Sequence, residues 1–125
     1  MIVGIGTDVV HPSRIKASLE RLGQRFAERI LTPDELQLWQ QHARPEVFLA
    51  KRFAVKEAAS KALGTGLGQG VSWQHIGLDH DELGAPLLQL SGQAEQRALQ
   101  LGVSRSHVTL SDEVDTVVAF VVLEQ

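Results

Sequence analysis

The chain has 125 residues and a mass of 13.7 kDa, and with 43% hydrophobic and 22% charged residues it has the composition of an ordinary globular protein. This length predicts a single domain spanning residues 1–125. The absence of cysteine excludes disulfides and thiolate chemistry. The low aromatic content argues against a nucleic-acid surface, and no apolar run is long enough for a membrane span. The N-terminus has no leader signal, so we expect a cytoplasmic protein.

The charges are distributed unevenly along the chain, whose formal net charge is −3. Residues 11–61 hold ten basic and six acidic side chains, whereas residues 62–125 hold two basic and eight acidic ones. A basic segment in an acidic protein suggests an anionic partner or ligand. A solvated helix surface would give the same pattern, and the charges alone do not decide between the two.

Hydrophobic periodicity and capping signals predict one strand, several helices, two strands, a helix and a final pair of strands. The predicted strands cover residues 2–10, 73–79, 86–90, 105–111 and 116–123. The predicted helices begin at Ser13, near Phe26, at Thr32, at Arg44 and at Ser91. The unbroken apolar run 116–123 is typical of a strand covered on both faces. The predicted fold class is α+β, a largely antiparallel sheet packed against the long helix that ends at Gly64.

Glu57 is the first candidate functional residue, because it follows Phe53 by four residues and Leu49 by eight, on the apolar side of the longest predicted helix. A carboxylate in that place must be paired or bind a cation, since an unpaired buried charge is very costly. Lys61 follows at i+4, so the alternative is an ordinary Glu–Lys helix pair worth about 0.2–0.5 kcal/mol.

Asp8 is the second candidate, a carboxylate that follows Gly6 and Thr7 in an otherwise apolar strand. One interpretation is a capping residue at the end of the strand. In the other, Asp8 and Glu57 together supply two hard oxygen ligands. Mg²⁺ is commonly held by one or two carboxylates together with substrate phosphate oxygens and water, and no histidine or cysteine spacing supports zinc.

The glycines after the long helix are the third candidate. Gly64, Thr65 and Gly66 follow Lys61 closely, and glycine lets a backbone approach a ligand. A helix C-terminus repels anions, so phosphate binding there would depend on Lys61 or neighbouring basic groups. A helix cap explains Gly64 equally well, and the chain has no P-loop motif.

Two segments carry a family resemblance: Gly4-Ile5-Gly6-Thr7-Asp8-Val9-Val10, and the segment 48–66, which reads FLAKRFAVKEAASKALGTG. Together with segments 82–86 and 107–112, they resemble the holo-[acyl-carrier-protein] synthases, the small stand-alone members of the 4′-phosphopantetheinyl transferase superfamily. The resemblance covers the whole chain, and the long helix motif is highly specific. Many relatives carry histidine where this chain has Asp112.

The resemblance implies a reaction that supports fatty acid biosynthesis. A serine hydroxyl of apo acyl carrier protein attacks the β-phosphate of coenzyme A, phosphopantetheine is transferred, and adenosine 3′,5′-bisphosphate leaves. By motif position, Asp8 and Glu57 would bind Mg²⁺. Lys61 would contact phosphate or remove the serine proton, with Glu57 acting through a water as the competing base. The implied contacts to coenzyme A are Arg52, Lys56, Lys61, Gly64, Thr65 and Gly66.

The resemblance also implies partners. Acyl carrier proteins are strongly acidic, and Arg14, Arg21 and Arg25 would dock that surface. An Arg14→Glu change would then raise the KM for carrier protein and leave the KM for coenzyme A nearly unchanged. Family members of this length are typically homotrimers, so we expect active sites between subunits. Two alternatives stay open: another Mg²⁺-dependent phosphate-transfer enzyme or phosphatase, and a non-catalytic adaptor whose basic helix binds an acidic protein.

Overall fold

The computed structural model describes all residues, 1–125, as five strands, five α-helices and one 3₁₀ turn. In chain order they are β1 (Ile2–Val10), α1 (Pro12–Leu22), α2 (Gln24–Ile30), α3 (Pro33–Gln40), α4 (Pro45–Ala62), a 3₁₀ turn (Trp73–His75), β2 (Ile76–His80), β3 (Pro86–Leu90), α5 (Gly92–Leu101), β4 (Arg105–Glu113) and β5 (Thr116–Glu124). The predicted α+β class and antiparallel pairing are confirmed. The predicted start of the second strand at residue 73 is wrong, because the His75 amide donates to the Ser72 carbonyl and closes a turn.

The main sheet has the strand order β1-β5-β4, with both pairs antiparallel and β5 in the centre. β2 and β3 form a separate two-stranded sheet. Because side chains alternate along a strand, one face of the main sheet presents every second residue of β5 to the core. These are Val117, Ala119, Val121 and Leu123, each at most 1% exposed.

Two glycines of β1 let α4 approach the sheet closely. A Cβ built on Gly6 would lie well inside contact distance of the Ala58 carbonyl oxygen, and one on Gly4 would meet the Ala62 carbonyl oxygen in the same way. Both obstructing atoms belong to helix backbone, which cannot rotate away as a side chain does. The glycines before Asp8 therefore set the depth at which α4 packs on β1. No helix of the structure is long and apolar enough to cross a bilayer.

The opposite face of the main sheet is open. Ile5, Val9 and Phe120 are 60%, 56% and 41% exposed, and the register places Val122 opposite Ile5 and Val118 opposite Val9. The expectation that the strand 116–123 is covered on both faces is therefore wrong for the single chain, where α4 covers one face only. The result is an exposed, mainly apolar surface with Thr7 opposite Phe120, which we call the open sheet face.

Candidate active site

Asp8 and Glu57 come together because β1 and α4 pack against each other. Asp8 pairs with Ala119 in the strand register, so its side chain lies on the face of the sheet that α4 covers. Asp8 and Glu57 line the same cavity of about 260 Å³, together with Arg14 of α1 and Phe53 of α4. Residues separated by nearly fifty positions in the sequence thus share one pocket.

The cavity is partly shielded from water, and this affects its two carboxylates. Burial raises the pKa of Glu57, and the nearby Asp8 carboxylate raises it further, while a hydrogen bond from Trp73 and the charge of Lys61 lower it. The Trp73 indole Nε1 donates to Glu57 Oε1 at 3.4 Å, and its ring packs on Phe53 with the centroids 5.9 Å apart. A second carboxylate beside Glu57 in a shielded pocket forms a site that attracts a cation.

Lys61 turns toward β1. Its Nζ donates to the Thr7 carbonyl at 2.9 Å and to Asp8 Oδ1 at 3.1 Å. The salt bridge of Lys61 is therefore with Asp8, on another element, and the alternative of an i to i+4 pair with Glu57 is not what forms. About half of the Lys61 side chain is exposed, whereas the Asp8 side chain is 17% exposed. An ammonium group next to the carboxylates is free to contact a ligand from the solvent side.

The donor set suits Mg²⁺. No group of three His, Cys, Asp or Glu side chains converges in the structure, so the protein would supply two carboxylates, Asp8 and Glu57. Mg²⁺ is usually bound by one or two carboxylates and completes its shell with phosphate oxygens and water. The chemistry of the two carboxylates and the openness of the cavity to a phosphate ligand both fit that ion.

The glycine segment after α4 forms a compact turn beside Lys61. Gly64 and Gly66 adopt φ values of +78° and +58°, which residues with a Cβ rarely adopt. The Gly66 amide donates to the Ser60 carbonyl at 3.1 Å. Arg97 of α5 donates from Nε to the Leu63 carbonyl at 2.9 Å. A cation therefore caps the C-terminus of α4 and offsets the negative end of its dipole where the glycines lie.

Lys56 lies on a different side of α4 from Lys61, inside the protein. It is 1% exposed, and its ammonium donates to Glu35 Oε1 at 2.7 Å, to the Trp73 carbonyl at 3.0 Å and to the Ile76 carbonyl. All three N–H donors are used inside the protein. This environment leaves Lys56 with neither exposure nor a free N–H donor for the predicted contact with coenzyme A.

Arg52 shares this buried cluster but also borders a cavity. Its Nη1 donates to Glu35 Oε2 at 3.0 Å and to the Leu78 carbonyl at 2.7 Å, and its guanidinium lies 4.6 Å from the Phe48 ring centroid. Arg52 lines a cavity of about 240 Å³ at the start of α4 that also contains Lys51. Part of the guanidinium can thus serve a ligand while the rest holds the fold.

Glu35 carries the charge balance of this cluster. Burial by itself would raise the pKa of Glu35, but the charge and hydrogen bond of Lys56, the Thr32 amide and Arg52 hold it below its usual value. The capping box that the sequence predicts at Thr32 is present, so one carboxylate caps α3 and binds two cations of α4. Burial lowers the pKa of Lys56, and Glu35 opposes this effect.

The three arginines predicted to bind a partner are all exposed but lie on two helices. Arg14 and Arg21 lie on the same face of α1, because they are seven residues, about two helical turns, apart. Arg25 lies in α2, after Gly23 has broken the helix with a φ of +69°. Arg14 also lines the cavity of Asp8 and Glu57, so the basic face begins at the site itself.

Sequence reasoning missed Trp73, Arg97 and the second role of Glu35. Arg97 is one of only two basic residues in 62–125, and this scarcity was a usable signal. The predicted strand 73–79 includes Trp73, and a strand at this position does not predict a contact between its indole and α4. The pairing of Glu35 with Arg52 and Lys56 had no signal in the sequence, because it depends on how α3 packs on α4.

Comparison with known proteins identifies the family. Residues 4–121 match the family model ACPS, the 4′-phosphopantetheinyl transferase superfamily. The chain therefore belongs to the 4′-phosphopantetheinyl transferase superfamily. It is 50% identical over 123 residues to the holo-[acyl-carrier-protein] synthase of Shewanella denitrificans, a match that covers 98% of each chain.

Solved structures agree with this assignment. Holo-[acyl-carrier-protein] synthase from Neisseria meningitidis has a TM-score of 0.94 and 48% identity, with 100% of both chains covered. The synthase from Helicobacter pylori, solved in complex with coenzyme A, has a TM-score of 0.83 and 31% identity, over 96% of this chain and 99% of that one. The predicted family, fold class and enzyme class, a phosphopantetheinyl transferase, are confirmed.

Proposed function

We propose that this chain transfers the 4′-phosphopantetheine group of coenzyme A to a serine of apo acyl carrier protein in a Mg²⁺-dependent reaction that releases adenosine 3′,5′-bisphosphate. The observation that carries the proposal is the shared cavity of Asp8 and Glu57, in a chain whose relatives are holo-[acyl-carrier-protein] synthases. The product supplies carriers for fatty acid biosynthesis, and the enzyme works in the cytoplasm as a single domain over residues 1–125.

Asp8 and Glu57 hold Mg²⁺, which when bound neutralises charge on the pyrophosphate of coenzyme A. Phosphoryl-type transfer depends mainly on positioning and on charge neutralisation, and the residues around the cavity supply both. The raised pKa of Glu57 supports this role, because a bound cation would offset the burial and the Asp8 charge that raise it. Trp73 keeps the Glu57 carboxylate aimed into the cavity through its indole N–H.

Lys61 is the residue that meets the phosphates from the solvent side. Its ammonium lies within 3.1 Å of Asp8, and its exposure leaves it able to bind an anion. It contacts phosphate or removes the serine proton, and Glu57 acting through a water is the competing base.

Coenzyme A extends from this centre over the end and the flank of α4. Gly64, Thr65 and Gly66 contact its phosphates beside Lys61, where the capping cation Arg97 reduces the repulsion of the helix end. Arg52 contributes from the cavity that it shares with Lys51. Lys56 has no part in this contact, since its donors are all used within the protein.

The carrier protein docks on the basic face formed by Arg14, Arg21 and Arg25. Because Arg14 lies in the wall of the metal cavity, a carrier bound along α1 brings its serine to the pyrophosphate. The enzyme assembles as a homotrimer with active sites between subunits. The open sheet face supports assembly, because Ile5, Val9 and Phe120 are exposed as an apolar surface in the single chain.

Intact-mass analysis tests the proposed function. Apo acyl carrier protein is incubated with this protein, coenzyme A and Mg²⁺, and we expect a mass gain of one phosphopantetheine. Glu57→Gln should abolish the gain, whereas Glu82→Gln, on an exposed hairpin loop, should retain it. A folded protein that adds no mass, or that releases inorganic phosphate instead of adenosine bisphosphate, contradicts the proposal. Binding of the carrier without any requirement for coenzyme A or Mg²⁺ would indicate an adaptor.

A further inference from the structure

We propose that Asp115, in the turn between β4 and β5, is a positioning residue that holds the first turn of α1 in place for binding the carrier protein. The proposal rests on the proposed function, since it assumes that the basic face of α1 receives the carrier. Asp115 makes no hydrogen bond with Asp8 or Glu57. Its contacts are with residues 11 and 13, directly before and after the start of α1.

The first turn of α1 has no cap of its own. His11 occupies the N-cap position without a side-chain cap hydrogen bond, and the turn contains no acidic residue. Pro12 has no N–H to donate, and the Arg14 amide donates to the His11 carbonyl at 2.9 Å. The Ser13 amide is the remaining donor of this turn, and helix ends need such donors satisfied.

Asp115 supplies the missing cap from the far end of the chain. Its Oδ1 accepts the Ser13 amide at 2.9 Å, and its Oδ2 accepts the Ser13 hydroxyl at 2.7 Å. The backbone carbonyl of Asp115 lies 2.8 Å from His11 Nδ1. Three hydrogen bonds thus join one turn residue to the start of α1 across more than one hundred sequence positions.

The strand that follows Asp115 makes this cap rigid. Val117 is 1% exposed and pairs with Val10, the last residue of β1. The turn is therefore anchored to the central strand, next to the point where β1 passes into α1. The Ser13 hydrogen bonds lower the pKa of Asp115, so the carboxylate is ionised at neutral pH. A negative charge is favourable at the positive, N-terminal end of a helix.

The first turn of α1 matters because it forms a wall of the active site. Arg14 and His11 line the cavity of Asp8 and Glu57, and Ile15, at 5% exposure, is the buried anchor of the same turn. When Asp115 is lost, the turn keeps its apolar anchor but loses the hydrogen bonds that orient it. We expect the arginine face to be less ordered and the carrier to bind less well.

The test compares Asp115→Ala with Glu113→Ala, which removes the same charge from an exposed residue of the same hairpin. Loss of negative charge by itself would tighten binding of an acidic carrier, and Glu113→Ala measures that effect. Asp115→Ala should instead raise both the Kd and the KM for apo carrier protein by about fivefold, the factor that a typical helix cap provides. The KM for coenzyme A should stay within about twofold of wild type.

Hydrogen exchange and a second variant separate positioning from general damage. The amides of residues 13–15 should exchange faster in Asp115→Ala and at the wild-type rate in Glu113→Ala. Ser13→Ala should reproduce part of the effect, since the hydroxyl and not the amide is removed. Carrier binding that is unchanged or tighter in Asp115→Ala, or a KM for coenzyme A that rises equally, overturns the proposal. Kd and exchange require no turnover, so they decide it even if the transferase assay fails.

Discussion

At the scale of single residues, Glu35 shows how one side chain can serve two purposes. Its carboxylate completes the capping box of α3 and is also the counter-charge for Arg52 and Lys56 of α4. Both cations are at least nine-tenths buried, and Lys56 is 1% exposed. The capping role could be predicted from Thr32 and its neighbours, whereas the charge-pairing role depends on tertiary contacts.

Replacing Glu35 should strongly destabilise the protein. Glu35→Gln keeps the shape and the cap but leaves two buried cations facing each other, and the loss of a buried ionic partner costs about 3–5 kcal/mol. Urea unfolding measures the change, with Glu82→Gln on the exposed loop as the matched control, expected within about 0.5 kcal/mol of wild type. Equal stabilities for the two variants would show that the cluster does not need its charge.

Wild type and Glu35→Gln should also differ in how their stability depends on pH. The pKa of Glu35 is lower in the folded state than its usual value of 4.5, so its contribution to stability is present above that pH. The contribution is lost as the pH falls through the lower folded-state value. The free energy of unfolding should therefore decrease more steeply below pH 4.5 in wild type than in Glu35→Gln. Parallel pH dependences would contradict this assignment.

At the scale of elements, the packing of α4 on β1 creates the candidate active site, the cavity shared by Asp8 and Glu57. The glycines of β1 exist there because helix backbone occupies the space that a Cβ would need. Asp8 lies two residues after Gly6, on the same face, so close packing places it opposite Glu57. The sequence predicted both elements and both carboxylates, but it could not predict the distance between a strand and a helix some forty residues apart.

Gly6→Ala should therefore lower both the free energy of unfolding and the affinity for a metal ion. The added methyl meets the Ala58 carbonyl and the Ala62 amide, and overpacking of this kind costs about 1–3 kcal/mol. Gly68→Ala is the control, since its Cβ would lie 3.7 Å from the nearest atom. Urea unfolding and Mn²⁺ titration of both variants make the comparison. A Gly6→Ala protein with unchanged stability and Mn²⁺ affinity would show that α4 can move outward without cost to the site.

On helix α1, Arg21 allows a cleaner test of carrier docking than Arg14 does. Because Arg14 lines the cavity of Asp8 and Glu57, Arg14→Glu places a negative charge beside the proposed coenzyme A phosphates, a charge reversal that Asp115→Ala does not make. Arg21→Glu should raise the KM for carrier protein about tenfold or more and leave the KM for coenzyme A unchanged, with the effect weakening at high salt. Lys16→Glu makes the same charge change on another side of α1. Equal effects of the two variants would indicate a response to net charge and not a docking face.

At the scale of the whole molecule, the open sheet face is an exposed surface on which the proposed trimer can be tested. β5 is the central strand of its sheet, yet Phe120 at its middle is 41% exposed. Several large apolar side chains exposed on one sheet face are typical of an interaction surface. The sequence predicted that this strand has two apolar faces, and only the fold shows that one of them has no partner within the chain.

Phe120→Lys should prevent assembly through the open sheet face. Light scattering after size-exclusion chromatography should give wild type three times the chain mass of 13.7 kDa, and the variant the mass of one chain, since a lysine ammonium buried at an apolar interface is very costly. Val114→Lys is the control, because Val114 is 95% exposed in a turn. We expect the Val114→Lys protein to remain trimeric. A trimeric Phe120→Lys protein would exclude this face from the interface.

The sequence by itself determined the order of the elements, the fold class and the family, and it singled out two carboxylates, Asp8 and Glu57, that the fold brings into one cavity. These follow from local patterns: apolar spacing, capping residues and a specific helix motif act over a few neighbouring positions. Tertiary structure alone decided which cations are available to a ligand. Arg52, Lys56 and Lys61 belong to one helix. The packing of α3 and β2 on one side buries Lys56, whereas Lys61 stays half-exposed beside Asp8 of β1. The same reason explains the cap that Asp115 gives to α1, because contacts between distant segments exist only once the chain has folded.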